Sequence, residues 1–236
     1  MRALRIAGLA RADFSFQPWA WPFAQRRRAE IDAHFAARRA RTPELWNGRV
    51  LLLRDWHLDG DALTGTFFET DFASFIAWRD WGFPDADATN CFSMGALRAS
   101  DGAYLLGVMA SHTANAGRAY FPAGTPEPED IAGNTVDLAA NVLREVAEET
   151  GLTAADFDVA AGWTAVFAGR RVALMKELQA REPAEALRGR ILRHLARERQ
   201  PELSDMRIVR DRGGFQADVP EFVTAFLEHV LPARDC

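Results

Sequence analysis

The stretch Arg144-Glu145-Val146-Ala147-Glu148-Glu149-Thr150-Gly151-Leu152 has the residue types and spacing for chemistry. On a helix, Glu145, Glu148 and Glu149 are related by i, i+3 and i+4, so they share one face within about one turn. Val142, Leu143 and Val146 turn toward a different face and can seat the helix on a sheet. Three carboxylates this close repel one another unless something positive sits among them. Hard divalent cations such as Mg2+ or Mn2+ prefer oxygen ligands, so carboxylates on one ridge suit them. Arg144 lies four residues before Glu148, where its guanidinium can orient one carboxylate. Gly151 ends the helix and lets the chain turn. A solvated acidic helix face is the competing explanation of the same cluster.

The pattern predicts a helix over 136–150, and the surrounding chain must hold it. Apolar runs on either side of Ala99-Ser100-Asp101-Gly102 predict a hairpin over 91–110. A short strand is expected at 119–121, ended by Pro122 and Gly124. Strands follow near 159–168 and 172–178, then a helix over 183–199, a short strand at 206–210 and a last helix over 220–231. Upstream, 21–41 reads as an arginine-rich helix with Pro22 in its first turn. Residues 50–53 and 62–70 read as a hairpin around an Asp-Gly turn. Residues 71–82 read as a short amphipathic helix, and 84–90 as a polar linker. Strands and helices mix without a strict βαβ rhythm, which favours α+β or a mixed sheet covered by helices.

With 236 residues, 48% hydrophobic and 26% charged, the chain can bury a core without staples. That composition excludes a disordered, collagen-like or wholly coiled-coil chain. The net charge of -5 argues against a bulk-basic nucleic-acid binder. One of the 28 basic residues is a lysine, Lys176. The two cysteines, Cys91 and Cys236, do not suggest a disulfide framework, and Cys91 reads as a small buried hydrophobe. No apolar run approaches a membrane span, and the first ten residues fit a signal peptide poorly. A soluble cytoplasmic protein is expected, with no nucleic-acid or membrane partner. Six of the seven tryptophans fall before residue 88. They are read as core and docking surface of that segment, which leaves a homodimer open.

Residues 144–152 resemble the second half of the Nudix box, Gly-x5-Glu-x7-Arg-Glu-U-x-Glu-Glu-x-Gly-U, with U apolar. Phe121-Pro122-Ala123-Gly124 resembles the Pro-Gly-Gly lead-in to that box. The resemblance implies a Nudix-like α/β/α sandwich around a mixed β-sheet over 88–236, preceded by an N-terminal α+β extension over 1–87. It implies hydrolysis of a nucleoside diphosphate linked to another group. It also implies a divalent cation, Mg2+ or Mn2+, held by Glu145, Glu148, Glu149 and the backbone carbonyl of Ala123. The first half of the box departs from the pattern. Gly124 and Arg144 are 20 positions apart rather than 14, and Val136 stands where the family has Glu. Asp137, Glu127, Glu129 or Asp130 could stand in. The lead-in and the longer loop are similar to a branch with Pro-Gly-Gly-His-Pro-Glu-Pro that acts on UDP-sugars and carries an N-terminal extension.

A pyrophosphate linkage is anionic and repels hydroxide, so its hydrolysis needs charge neutralisation and a carboxylate to take a proton from water. Arg144 and Glu145 are the expected catalytic pair, with Glu177 and Asp205 as other candidate bases. His112, Arg118 and Arg170 are expected to bind a small-molecule nucleotide conjugate, and Arg171 is a further phosphate candidate. Trp163 and Phe167 read as strand core. The chain has no Walker-type loop, no Gly-x-Ser-x-Gly, no zinc spacing and no Gly-x-Gly-x-x-Gly. Two other functions fit the same residues. One is a degenerate Nudix domain that binds a nucleotide as a sensor, and the other is a coenzyme A pyrophosphatase.

Overall fold

The computed structural model describes residues 4–232, and Cys236 lies outside them. The first two strands fall where none is predicted. β1 (Arg5–Leu9) and β2 (Arg11–Phe16) are separated by a bend at Ala10 and enter different sheets. The helix expected over 21–41 is two helices, α1 (Pro22–Arg26) and α2 (Arg28–Arg41). They break at Arg27, whose φ of -111° and ψ of 20° are not helical. The hairpin β3 (Arg49–Asp59) and β4 (Ala62–Asp71) leads into α3 (Phe72–Asp80), capped by the Asp71 carboxylate accepting the Ser74 N–H.

The second hairpin is β5 (Asn90–Arg98) and β6 (Tyr104–Met109), followed by β7 (Ala119–Tyr120). A 3-10 turn at Pro128–Asp130 precedes two short strands, β8 (Ile131–Ala132) and β9 (Thr135–Val136). The acidic helix is α4 (Leu138–Thr150). After it come β10 (Phe157–Val159), β11 (Trp163–Ala168), β12 (Arg171–Ala180), α5 (Ala184–Leu195), β13 (Leu203–Val209) and α6 (Glu221–Val230).

The main sheet runs β1-β11-β12-β5-β6-β13, with β10 beside β12 and β7 beside β6. Its β12–β5 pair is parallel and the others are antiparallel, so the sheet is mixed. On one face Leu97 and Leu178 pack with Val142 and Val146 of α4 and Leu187 and Ile191 of α5. On the other, Met94, Ala173 and Met175 pack with Val223, Phe226 and Leu227 of α6. Helices therefore cover both faces, as an α/β/α sandwich requires. Each fully buried Val or Leu contributes about 1.5–3 kcal/mol, which fixes α4 firmly on the sheet.

The second sheet, β3-β4-β2-β9-β8, is also mixed, with β2 and β4 parallel. Its strands alternate, so they bury both sides. Val50, Leu52 and Phe68 turn toward Trp21, Phe35 and Trp78 of the helical layer. Leu51, Leu53 and Phe67 turn toward Cys91, Val172 and Leu174 of the main sheet. Cys91 is fully buried there, and burial pushes its thiol up. The two segments also exchange strands: β1 pairs with β11, and the β8–β9 hairpin pairs with β2. That hairpin is the lengthened loop between Gly124 and Arg144. A Leu51 N–H to Pro126 C=O bond of 2.7 Å ties it further to the accessory sheet. Among the described residues, no helix is long and apolar enough to cross a membrane.

Candidate active site

The ends of α4 set where its carboxylates lie. Asp137 caps the start, its side chain accepting the N–H groups of Ala139 and Ala140 at 3.0 and 2.9 Å. Gly151 closes the end in the left-handed region at φ 69°, a conformation glycine adopts without the Cβ penalty. Asp137 is thus occupied as a cap. Val136 is buried between the two sheets, so no carboxylate comes from that position.

Asp130, on the loop that leads into α4, lies on the other side of the Arg144 guanidinium. The lengthened loop folds back and places Asp130, 6% exposed, beside Arg144 at 3.2 Å. Asp130 also accepts from the Glu127 N–H and from Asn141 Nδ2. Buried Asn141 in turn accepts the Ser93 hydroxyl of β5 at 2.7 Å. Arg144 is therefore located by a chain of bonds running from the sheet through α4 to the loop. Its guanidinium also meets Glu145 at 2.9 Å and both Glu129 and Glu148 at 3.4 Å.

The three helix carboxylates differ in setting. Glu148 has a side chain 59% exposed and faces Arg144 and solvent. Glu145 is mostly buried, and burial pushes its carboxyl up to about 7; Arg144 pulls it down, while Glu148 and Glu202 push it further up. Glu149 is 6% exposed. Its Oε1 accepts the Ala123 N–H at 3.4 Å, and its Oε2 is buried with no hydrogen-bond partner among the described residues. Burial first, then Glu145 and Glu202, hold it well above the usual carboxylate range. Gly124 abuts Glu145 so closely that a Cβ there would overlap the carboxyl group.

This donor set fits a hard divalent cation. The unsatisfied buried Oε2 of Glu149 and the neighbouring Glu145 carboxylate offer hard oxygen ligands, while the backbone beside them presents the Ala123 N–H. Among the described residues, no three His, Cys, Asp or Glu side chains converge as a ready metal-holding group. Glu148 is largely exposed and faces Arg144 at 3.4 Å. Ala123 meets the cluster through its N–H in this arrangement.

No protein-family profile matches the chain, and no curated protein matches it. Among solved structures, the chain is similar to RenU, a Nudix hydrolase from M. smegmatis. That match has 17% identity, covers 59% of this chain and 80% of that one, and has a TM-score of 0.38. It is also similar to the MutT protein of Methanosarcina mazei Go1, with 20% identity, coverage of 60% and 92%, and a TM-score of 0.39. A third similar structure is a mutant of the Bacillus subtilis pyrophosphohydrolase BsRppH, with 18% identity, coverage of 58% and 68%, and a TM-score of 0.31.

A cleft of about 900 Å3 opens beside the acidic cluster. Ala123, Gly124 and Thr125 form its lip, and Arg118 and Arg171 line it. Of the three residues expected to bind substrate, Arg118 alone lines this cleft. His112 sits on the same 110–118 loop, but Ala114, Asn115 and Ala116 are the loop residues that join Arg118 in the lining. Arg170 bonds the Ala86 carbonyl at 2.7 Å and lines a separate recess of about 310 Å3 with Trp19, Arg54 and Trp56. Arg170, in the turn before β12, and Arg171, its first residue, thus go to different cavities.

The other candidate bases have partners. Glu177 accepts the Tyr104 hydroxyl at 2.5 Å, and Asp205 pairs with Arg188 at 2.6 Å. Lys176 is buried, donates to the carbonyls of Ala161 and Gly162, and lies 4.4 Å from the Trp163 ring centroid. Sequence reasoning missed Glu202, whose charge reaches both Glu145 and Glu149. It stands in a loop without periodicity, so no local signal marks it. Sequence reasoning also missed that Arg38, Phe72, Phe75 and Arg79 of the accessory layer line the cleft.

Proposed function

We propose that this chain is a Nudix-type hydrolase that cleaves the pyrophosphate linkage of a nucleoside diphosphate joined to a second group, with UDP-sugars the first substrates to try. The observation that carries this reading is the buried, half-satisfied Glu149 beside Glu145, set against Ala123–Gly124 at the lip of an arginine-lined cleft. Glu145, Glu148, Glu149 and the carbonyl of Ala123 would hold the cation, Mg2+ or Mn2+. A bound divalent cation supplies charge neutralisation and polarisation of the scissile phosphoryl group.

The chain's own residues do the rest. Arg118 is exposed on the cleft and forms no ion pair with another described residue, so its guanidinium is free for a phosphate. Arg144 fixes Glu145 in place at 2.9 Å. Glu145, which abuts the cleft-lining Gly124, would take the proton of the attacking water. The packed α4 and the Gly124 contact hold this carboxylate still, which is where positioning contributes to rate.

The test is turnover by the purified chain with Mg2+ against UDP-glucose, ADP-ribose, NADH, coenzyme A and dinucleoside polyphosphates. A rate on one class that disappears in Glu148→Gln supports the hydrolase and names the substrate class. No rate on any of them, while nucleotides still raise the melting temperature, supports the sensor reading instead.

A further inference from the structure

We infer that the inner part of the cleft is a nucleobase site, with Asn90 reading the base edge and the accessory layer supplying one wall. This inference rests on the nucleotide reading above and names the part of the ligand that the cleft recognises.

Asn90 opens β5 and is 8% exposed, yet it lines the cleft. Its Oδ1 is buried with no hydrogen-bond partner among the described residues. A buried amide oxygen left unpaired is costly, and such groups are normally satisfied. A ligand that brings an N–H into the cleft removes that cost. The asparagine amide offers an acceptor and a donor side by side. Nucleobases present the complementary donor and acceptor side by side on one planar edge, whereas a pyrophosphate brings only acceptors.

The walls suit a flat ring. Phe92 of β5 and Phe222 of α6 pack edge to face at 5.3 Å. Phe72 and Phe75 reach the same cleft from α3 of the accessory layer. Arg171, the register partner of Asn90, lies over the Phe222 ring at 5.7 Å. Aromatic faces hold bases by stacking whatever the base identity, so the amide is left to discriminate.

The spacing also fits. The Gly95 N–H donates to the Pro122 carbonyl at 2.9 Å, which pins the cleft lip to the middle of β5. Five residues of strand separate Asn90 from that point, about 16 Å at the usual rise. A base, a ribose and a diphosphate laid end to end occupy such a span, with the phosphates toward Arg118 and the acidic helix.

The test uses the full chain and calorimetric titration with ADP, UDP and inorganic pyrophosphate. Wild type binds at least one nucleotide more tightly than pyrophosphate. Asn90→Leu weakens that nucleotide by about 10- to 100-fold, the range of a discriminating base contact, and leaves pyrophosphate unchanged. Phe222→Ala and Phe72→Ala, on half-buried positions of the two walls, give the same selective loss and carry the test if Asn90→Leu does not fold. The inference is overturned if wild type binds no nucleotide, if it binds pyrophosphate equally well, or if the variants weaken both ligands together or neither. Turnover separates this result from the hydrolase reading. Nucleotide hydrolysis with no selective binding loss sinks the base site alone. Selective loss without turnover of any nucleotide sinks the hydrolase alone.

Discussion

Replacing Gly124 with alanine perturbs the site at one atom. A Cβ at that position would overlap the Glu145 carboxyl group and lie 2.9 Å from its Cγ, where ordinary contact begins at 3.4 Å. The obstructed atoms are the far end of a flexible side chain, so the fold can yield by swinging that side chain away. The Glu145 carboxyl then retreats by about 1 Å, and a misplacement of that size costs on the order of 100-fold in rate. That corresponds to about 2.7 kcal/mol in the barrier. Global stability should change little, because neither the α4 caps nor its buried valines are touched. Steady-state kinetics on the best substrate of the panel and thermal unfolding in the same buffer decide it. The expected result is a kcat lower by about 100-fold with a Tm within about 2 °C of wild type. A kcat within threefold of wild type would refute the placement of Glu145 in the machinery. A Tm lower by about 5 °C or more would show that Gly124 serves the fold instead.

Other perturbations have definite outcomes. Glu145 has a folded pKa near 7 against 4.5 unfolded, so the folded state binds the extra proton. Its stabilising contribution is complete below pH 4.5 and is lost as pH rises through about 7. In EDTA, Glu145→Gln should therefore gain stability over wild type across that window, by at most about 3 kcal/mol, as read by denaturant unfolding at a series of pH values. A difference that does not change with pH would refute this. Gly151→Ala forces a side chain into the left-handed region and against the His194 ring, so it should destabilise by about 1–2 kcal/mol. Unaltered thermal unfolding would contradict the role of Gly151 as the stop of α4. A fragment of residues 88–236 loses β1 from its sheet edge and uncovers Val172 and Leu174. Several such side chains at about 1.5–3 kcal/mol each exceed a typical margin of stability. Its circular dichroism should show no cooperative melt, and a sharp transition would show that the segment stands alone.

The chemistry-bearing helix was legible because its signals are local. The i, i+3, i+4 spacing of Glu145, Glu148 and Glu149 and the stop at Gly151 act within two turns, and α4 forms where they predict it. The β5–β6 and β3–β4 hairpins were legible for the same reason, through alternation and turn residues. The failures share the opposite property. β1 carries little alternation of its own, and the alternating Arg11–Phe16 of β2 is only six residues long; both are fixed as strands by pairing with β11 and β4, which lie far away in sequence. Four residues were read as stand-ins for the family's glutamate, and tertiary folding gives two of them different settings. Asp137 is consumed as a cap and Asp130 is brought to Arg144 by the folded-back loop. Arg170 and Arg171 are adjacent in sequence yet open on different cavities, a distinction that composition cannot make. Asn90 had no motif around it, and its importance comes from being buried without a partner.

The most direct measurement is hydrolysis of the best substrate by wild type and by Glu149→Gln, each in EDTA and after a return of Mg2+. The account predicts that wild type is inactive in EDTA and recovers with Mg2+, while Glu149→Gln is folded, at least as stable, and inactive in both. Turnover by wild type in EDTA, or Mg2+-dependent turnover by Glu149→Gln near the wild-type rate, would contradict it.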